Sequence, residues 1–298
     1  MAAAALLPLA ATYMLTTASA APAKRAARID ASDATVSVGE AVTLRGAFPG
    51  AGKAPFAVRY REQGTKRWNT VAHGRTGAAG RYLVNVRPRR SGYWRAELTT
   101  PPQTPAHAVD AGTGSERISV RSETRVSVKG RDALVGRPVT IRGQVAPAGD
   151  RRRVVVSVGH AEQTTRTGRD GRFAIRWTAP STGVYPVRVS ARSNQIARGS
   201  HDRGGRVTAY RGAAASWYGP GLYGNHLACG GTLTPTTLGV ANRTLPCGTK
   251  LRLAYRGRTV NVRVIDRGPF SGSREFDLTS ATKQKLGFPD VGTVLTSR

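Results

Sequence analysis

The sequence predicts an all-β protein, and three observations carry that expectation. Short runs alternate polar and apolar residues, as in Val154-Val155-Val156-Ser157-Val158, with Gly-containing turns between them. A segment of about 90 residues occurs twice before the C-terminal part of the chain. From Ala213 onward the alternation sharpens, and helical periodicity is confined to one short stretch after Asp277-Leu278.

In chain order, residues 1–20 are apolar and Ala/Leu-rich and end in Ala18-Ser19-Ala20, a small-x-small pattern followed by Lys24-Arg25. This predicts a secretory signal peptide. A short uncleaved anchor is the alternative, although the stretch barely reaches the ~20 apolar residues that spanning requires. No stable membrane span is expected after cleavage. Residues 21–28 read as a linker.

The repeat is visible in three echoes. Val38-Gly39-Glu40-Ala41-Val42-Thr43-Leu44-Arg45-Gly46 returns as Val135-Gly136-Arg137-Pro138-Val139-Thr140-Ile141-Arg142-Gly143. Thr76-Gly77-Ala78-Ala79-Gly80-Arg81-Tyr82 returns as Thr167-Gly168-Arg169-Asp170-Gly171-Arg172-Phe173, and Ser91-Gly92-Tyr93 as Thr182-Gly183-Val184. Alternating runs with turns at this spacing give antiparallel sandwiches, predicted over residues 29–119 and 120–208. The copies resemble bacterial immunoglobulin-like domains that serve as stalks in secreted proteins. Their tryptophans Trp68, Trp94 and Trp177 are either core residues or an exposed sugar platform. Pro101-Pro102-Gln103-Thr104-Pro105 and Arg203-Gly204-Gly205 mark the approaches to the two domain boundaries.

Lys and Arg number 46 against 17 Asp and Glu, a net charge of +29. The excess is spread at similar density along the chain. That distribution fits a diffuse polyanion, such as the anionic polymers of a bacterial wall, better than one nucleic-acid-binding face, so no nucleic-acid partner is expected. Both cysteines, Cys229 and Cys247, lie near the C-terminus. In an exported chain an isolated pair most simply forms a disulfide; a metal site with His226 would lack a fourth ligand. No metal or cofactor is expected.

Residues 213–298 form the third predicted domain. Leu251, Leu253 and Tyr255 make one apolar face, Arg256-Gly257-Arg258 turns the chain, and Thr259 to Ile265 returns as the second strand of a hairpin. Thr279 caps a predicted helix over residues 280–286, and Gly287 ends it. Asp266 follows Val260, Val262 and Val264 at two-residue spacing, so it is expected to continue their apolar face. A carboxylate aimed at a partly desolvated groove is a candidate proton donor. The alternative is a strand-end carboxylate satisfied by turn amides or by Arg267.

Ala215-Ser216-Trp217-Tyr218-Gly219, Asn242-Arg243-Thr244-Leu245-Pro246-Cys247-Gly248-Thr249, Asp266-Arg267-Gly268-Pro269-Phe270 and Asp277-Leu278-Thr279 occur in that order. Together they closely resemble the rare lipoprotein A family. The resemblance implies a six-stranded double-psi β-barrel, giving two immunoglobulin-like sandwiches followed by a barrel. It also implies action on peptidoglycan glycan strands as a lytic transglycosylase, with Asp266 as acid and then base. Asp277 matches an acidic position used by expansin-like barrels. Tyr218, Asn242 and Arg267 become candidate glycan contacts. Active members carry Glu where Gly231 stands and His where Asn242 stands. The alternative is an expansin-like protein that binds or loosens the wall without cutting it.

Overall fold

A computed structural model describes residues 26–100 and 111–298. The signal-peptide stretch, most of the predicted linker and the Pro-rich stretch from Pro101 lie outside the described residues. Eight strands come first: β1 (Arg28–Ala31), β2 (Thr35–Ser37), β3 (Val42–Ala47), β4 (Pro55–Glu62), β5 (Asn69–Arg75), β6 (Arg81–Val86), β7 (Gly92–Leu98) and β8 (Glu116–Arg121). They form two sheets, ordered β1-β3-β6 and β2-β8-β7-β4-β5, around one apolar core that includes Leu44, Phe56, Trp94 and Ile118.

The next eight repeat that plan: β9 (Glu123–Val128), β10 (Asp132–Leu134), β11 (Pro138–Ala146), β12 (Arg153–Val158), β13 (Ala161–Arg166), β14 (Arg172–Thr178), β15 (Gly183–Ala191) and β16 (Ser200–Tyr218). The sheets are β14-β11-β9 and β13-β12-β15-β16, with β10 parallel to β16 as β2 is parallel to β8. Each strand therefore has its counterpart eight positions on, and both units are immunoglobulin-like sandwiches.

The echoes have physical causes. Gly46 and Gly143 lie under the rings of Tyr82 and Phe173, where any Cβ would collide with the aromatic side chain. The hydroxyls of the buried Thr76 and Thr167 each accept from one backbone N–H, of Ala54 and Arg152, and donate to one carbonyl, of Ala51 and Asp150. Trp94 and Trp177 are core residues. Trp68 is half-buried, with the guanidiniums of Arg61 and Arg95 5.2 and 4.2 Å from its ring centre. None of the three is an open sugar platform.

The remaining strands are β17 (Val240–Asn242), β18 (Lys250–Tyr255), β19 (Arg258–Asp266), β20 (Phe276–Thr279) and β21 (Gly292–Thr296), with helix α1 (Ser280–Leu286). Together with the distal half of β16 they pair in a ring. β16 runs parallel to β20, β20 antiparallel to β17, β17 parallel to β19, β19 antiparallel to β18, β18 to β21, and β21 back to β16. Each of the six strands has two neighbours, so no edge is left open. Val240, Leu253, Val264, Phe276, Leu278 and Val294 fill the interior.

The β18–β19 hairpin forms as expected, turning at Arg256 and Gly257, both with positive φ. Helix α1 also forms as expected. Thr279 accepts from the Thr282 N–H at its start, and a left-handed Gly287 closes it.

Arg203-Gly204-Gly205 is not a break. It lies inside β16, where the register against β15 shifts between Val187 and Arg188. The strand runs 19 residues from the second sandwich into the barrel. At the passage Tyr210 is fully buried, and its hydroxyl donates to Asp132. Among the described residues no helix is long and apolar enough to cross a membrane.

Burial, followed by the Asp132 charge, pushes the Tyr210 hydroxyl up to about 12, and burial pushes Tyr60 to a similar value. A folded-state pKa above the ordinary value near 10 means that this stability is complete below about pH 10 and is lost as pH rises through the folded value. The melting temperature, followed by circular dichroism, is expected to fall between pH 10 and 12. A flat profile over that interval would contradict these environments.

Candidate active site

The site is set by an extra residue in β19. Val240 pairs with Val264, but its neighbour Ala241 pairs with Asp266, leaving Ile265 bulged between them. Asp266 therefore does not continue the face of Val260, Val262 and Val264, as strict alternation predicts. That face points inward: Val264, Val240 and Leu278 share one register row and are fully buried.

The bulge moves Asp266 onto the adjacent row, across Ser216, Asp277, Ala241 and Asp266, which faces outward. Asp266 and Asp277 thus flank Ala241 at one level, on strands two positions apart. Their Cα atoms are about 10 Å apart at the usual strand spacing.

The connection from residue 219 to 239 drapes over this outer row. Its Leu227 and Leu233 are buried, and the Tyr223 hydroxyl bonds the Ser280 hydroxyl at 2.9 Å. The Ala228 N–H donates to Asp266 Oδ1 at 2.9 Å, and the Arg267 N–H reaches the same oxygen at 2.9 Å. With Oδ1 doubly occupied, Oδ2 is the oxygen left for a ligand. Asp277 Oδ1 accepts from the Ser216 hydroxyl. Helix α1 takes nothing from Asp277, since Thr279 caps it.

The Tyr218 hydroxyl is buried without a hydrogen-bond partner. It lies near both carboxyls. Burial first, then the charge of Asp266 and the approach of the hydroxyl to its carboxyl, then the charge of Asp277, push its pKa above the ordinary tyrosine range, although the hydroxyl and that carboxyl do not meet hydrogen-bond geometry. At neutral pH it is a neutral donor. An unpartnered buried hydroxyl beside a carboxylate is a position a ligand oxygen can complete.

The other two predicted contacts are occupied. Asn242 is buried; its Oδ1 accepts from the Thr244 and Leu245 N–H groups, and its Nδ2 donates to the Glu275 carbonyl. The Arg267 guanidinium donates to the carbonyls of Asn242 and Leu245 and lies 3.2 Å from Cys247 Sγ. Both side chains hold the segment 242–247 in place and leave no free polar edge directed at the Asp266 row.

Cys229 and Cys247 form a disulfide, which ties the draped connection to that same segment. The thiols are thereby unavailable to a metal. Gly231, where the family resemblance implies Glu, has φ +84 beside Gly230 at +93. A side chain there has open space but a strained backbone, so this connection follows a path that disfavours glutamate.

Two features of the site were not singled out in the sequence. The Ala228 N–H is a backbone group, and no residue type signals it. Phe270 is 81% exposed four residues after Asp266. The signal for it was an aromatic following Gly268-Pro269, where no alternating pattern gives it a core position.

A family model described as lytic transglycolase matches residues 211–296. Residues 211–296 are therefore similar to the RlpA-like double-psi β-barrel family. The chain is 35% identical over 113 residues to a "Probable endolytic peptidoglycan transglycosylase RlpA" of Synechocystis sp., covering 37% of this chain and 35% of that protein. It is 41% identical over 81 residues to the "Endolytic peptidoglycan transglycosylase RlpA" of Neisseria meningitidis serogroup B, covering 26% and 34%.

The chain thus spans about a third of the length of the curated relatives it matches. Among solved structures, Streptomyces papain inhibitor matches with 21% identity and a TM-score of 0.24, covering 29% of this chain and 90% of the inhibitor. A tetra-tandem repeat from a large adhesion protein matches with 13% identity and a TM-score of 0.38, covering 86% and 74%.

The disulfide closes a loop across 18 residues of sequence and holds Ala228 against Asp266. Closing a loop of that size stabilises by roughly 3 kcal/mol. Reduction, or Cys247→Ser, is expected to lower the melting temperature by several degrees and to raise amide exchange at residues 226–232. Unchanged exchange there would mean that the connection is held by its apolar contacts alone.

Proposed function

We propose that the barrel is a lytic transglycosylase acting on peptidoglycan glycan strands, with Asp266 as its single acid/base. The observation that carries this reading is the outward row Ser216–Asp277–Ala241–Asp266, roofed by the 219–239 connection. The names of the RlpA relatives support the substrate class. A glycan strand at the open edge of that row would meet the half-buried Asp266 and Asp277, with the Tyr218 hydroxyl beside them. Phe270 would offer an exposed ring for a sugar face at one end.

The chemistry needs one proton moved twice. Protonated Asp266 gives its proton to the glycosidic oxygen as the bond from that oxygen to the anomeric carbon breaks. The sugar's own 6-hydroxyl then closes on the anomeric carbon and returns its proton to the carboxylate. A 1,6-anhydro end results and no water is consumed. Asp277, oriented by Ser216, is placed to stabilise the positive charge that develops on the ring. Asn242 and Arg267 act as positioning residues. The Ala228 and Arg267 N–H groups fix which carboxyl oxygen faces the substrate.

On this reading the chain is exported and wall-associated. Its partners are glycan strands and, through its net charge of +29, anionic wall polymers. The sandwiches space the barrel from the rest of the chain.

The test is incubation with denuded glycan strands, followed by mass spectrometry for anhydro ends. Asp266→Asn keeps an oxygen for both backbone donors and loses only the proton. It is expected to lower product formation by about 100- to 10,000-fold at unchanged melting temperature. Asp277→Asn is expected to cause a smaller loss. Full activity in Asp266→Asn would place the acid elsewhere. Strand binding by the unsubstituted protein without anhydro ends would leave recognition alone.

A further inference from the structure

A second concave surface lies where the second sandwich meets the barrel, and none of Ser216, Asp277, Ala241 and Asp266 lines it. It is a groove of about 730 Å³. Five cationic side chains line it: Arg206 from the sandwich part of β16, Lys250 and Arg252 from β18, Arg263 from β19, and Arg298 at the C-terminus. Among the described residues that line it none is acidic, and none of the five cations forms an ion pair.

The cluster is held in place without being neutralised. Arg252 donates to the Thr259 hydroxyl, Arg263 to the Gly248 carbonyl and Arg298 to the Lys250 carbonyl, all uncharged acceptors. Lys250 and Arg263 are direct cross-strand partners. Like charges directly opposite one another destabilise a sheet, so this pair opposes the hairpin that contains it. Arg206 is brought to them because β16 runs unbroken from one unit into the other. Four guanidiniums and one ammonium, three of the five held by uncharged acceptors and none beside an acidic side chain of the lining, suit an oxyanion.

We infer that this groove binds a phosphodiester-linked polyol chain, an anionic polymer without bases. Its walls favour that ligand over nucleic acid. No aromatic residue is among the described residues lining it, whereas single-stranded nucleic acid is held by stacking on aromatic rings. Val184 and Leu238 give it exposed aliphatic walls suited to a carbon backbone between phosphates. The choice of polymer rests on the wall-associated reading above. The groove is independent of the Asp266 chemistry. It would hold the barrel at a fixed place on an anionic polymer while the Asp266 row meets glycan.

The experiment titrates the protein with a synthetic poly(glycerol phosphate) oligomer, and separately with a single-stranded oligonucleotide of equal charge, at several salt concentrations. Lys250→Gln/Arg263→Gln is expected to weaken binding of the phosphate oligomer by about tenfold or more and to flatten its salt dependence. Its melting temperature should stay level or rise, because a repulsive pair is removed. Arg169→Gln/Arg176→Gln, which removes two exposed charges outside the groove, should leave affinity within about twofold.

Equal losses in the two double variants would reduce the effect to diffuse charge and overturn the proposal. Tighter groove-dependent binding of the oligonucleotide would overturn it in favour of nucleic acid. Glycan cleavage is measured separately. Absence of cleavage with groove-dependent binding would remove only the enzymatic reading, and the reverse result would remove only this one.

Discussion

The bulge at Ile265 determines which face of the barrel the Asp266 carboxyl occupies. Without the bulge, the alternation of β19 would carry the Asp266 carboxyl inward beside Val264, into a core with no partner for it. With the bulge, Asp266 leaves the core and joins Asp277 on the row that the 219–239 connection covers. Every other element of the site serves that placement. Ala228 and the Arg267 amide fix the carboxyl, the disulfide fixes Ala228, and Asn242 with the Arg267 side chain fixes the segment that anchors the disulfide. The network is partly exposed, and its specificity comes from each N–H donor in it having one defined acceptor.

The fold was legible where a residue type answers to one local need. The echoes were visible because a turn demands Gly39 and Gly136 at positive φ, and because Gly46 and Gly143 must make room for an aromatic ring. The capped helix was visible in Thr279 and Gly287 for similar reasons. Other features were hidden because they depend on pairing between distant strands. Asp266 could be picked out as a carboxylate at a strand end, but the face it occupies depends on its register against Ala241. Arg203-Gly204-Gly205 has the composition of a linker. It sits inside a strand because Gly204 packs close to Val126 and Val187 and the register shifts there.

The site residues divide in the same way. Asp266, Asp277 and Tyr218 were found by type and motif, and the fold brings them to one surface. Asn242 and Arg267 belong to the same motifs, but their polar atoms are spent on backbone carbonyls and amides. A motif records which positions a fold depends on, and it does not separate those that touch a ligand from those that hold the ones that do. The departures at Gly231 and Asn242 have a matching physical form. One is a backbone path that only glycine follows easily, and the other an amide used in full by its neighbours.

The unbroken course of β16 has a mechanical consequence. Nineteen residues of extended backbone span about 60 Å at the usual rise per residue, interrupted only by the shift near Gly205. Neighbouring strands grip it along the sandwich half and along the barrel half. Tension applied across the molecule would load those ladders in shear rather than straighten a slack tether. The second sandwich and the barrel are therefore joined by paired strand rather than by a loose linker, and the direction of the barrel follows that of the sandwich.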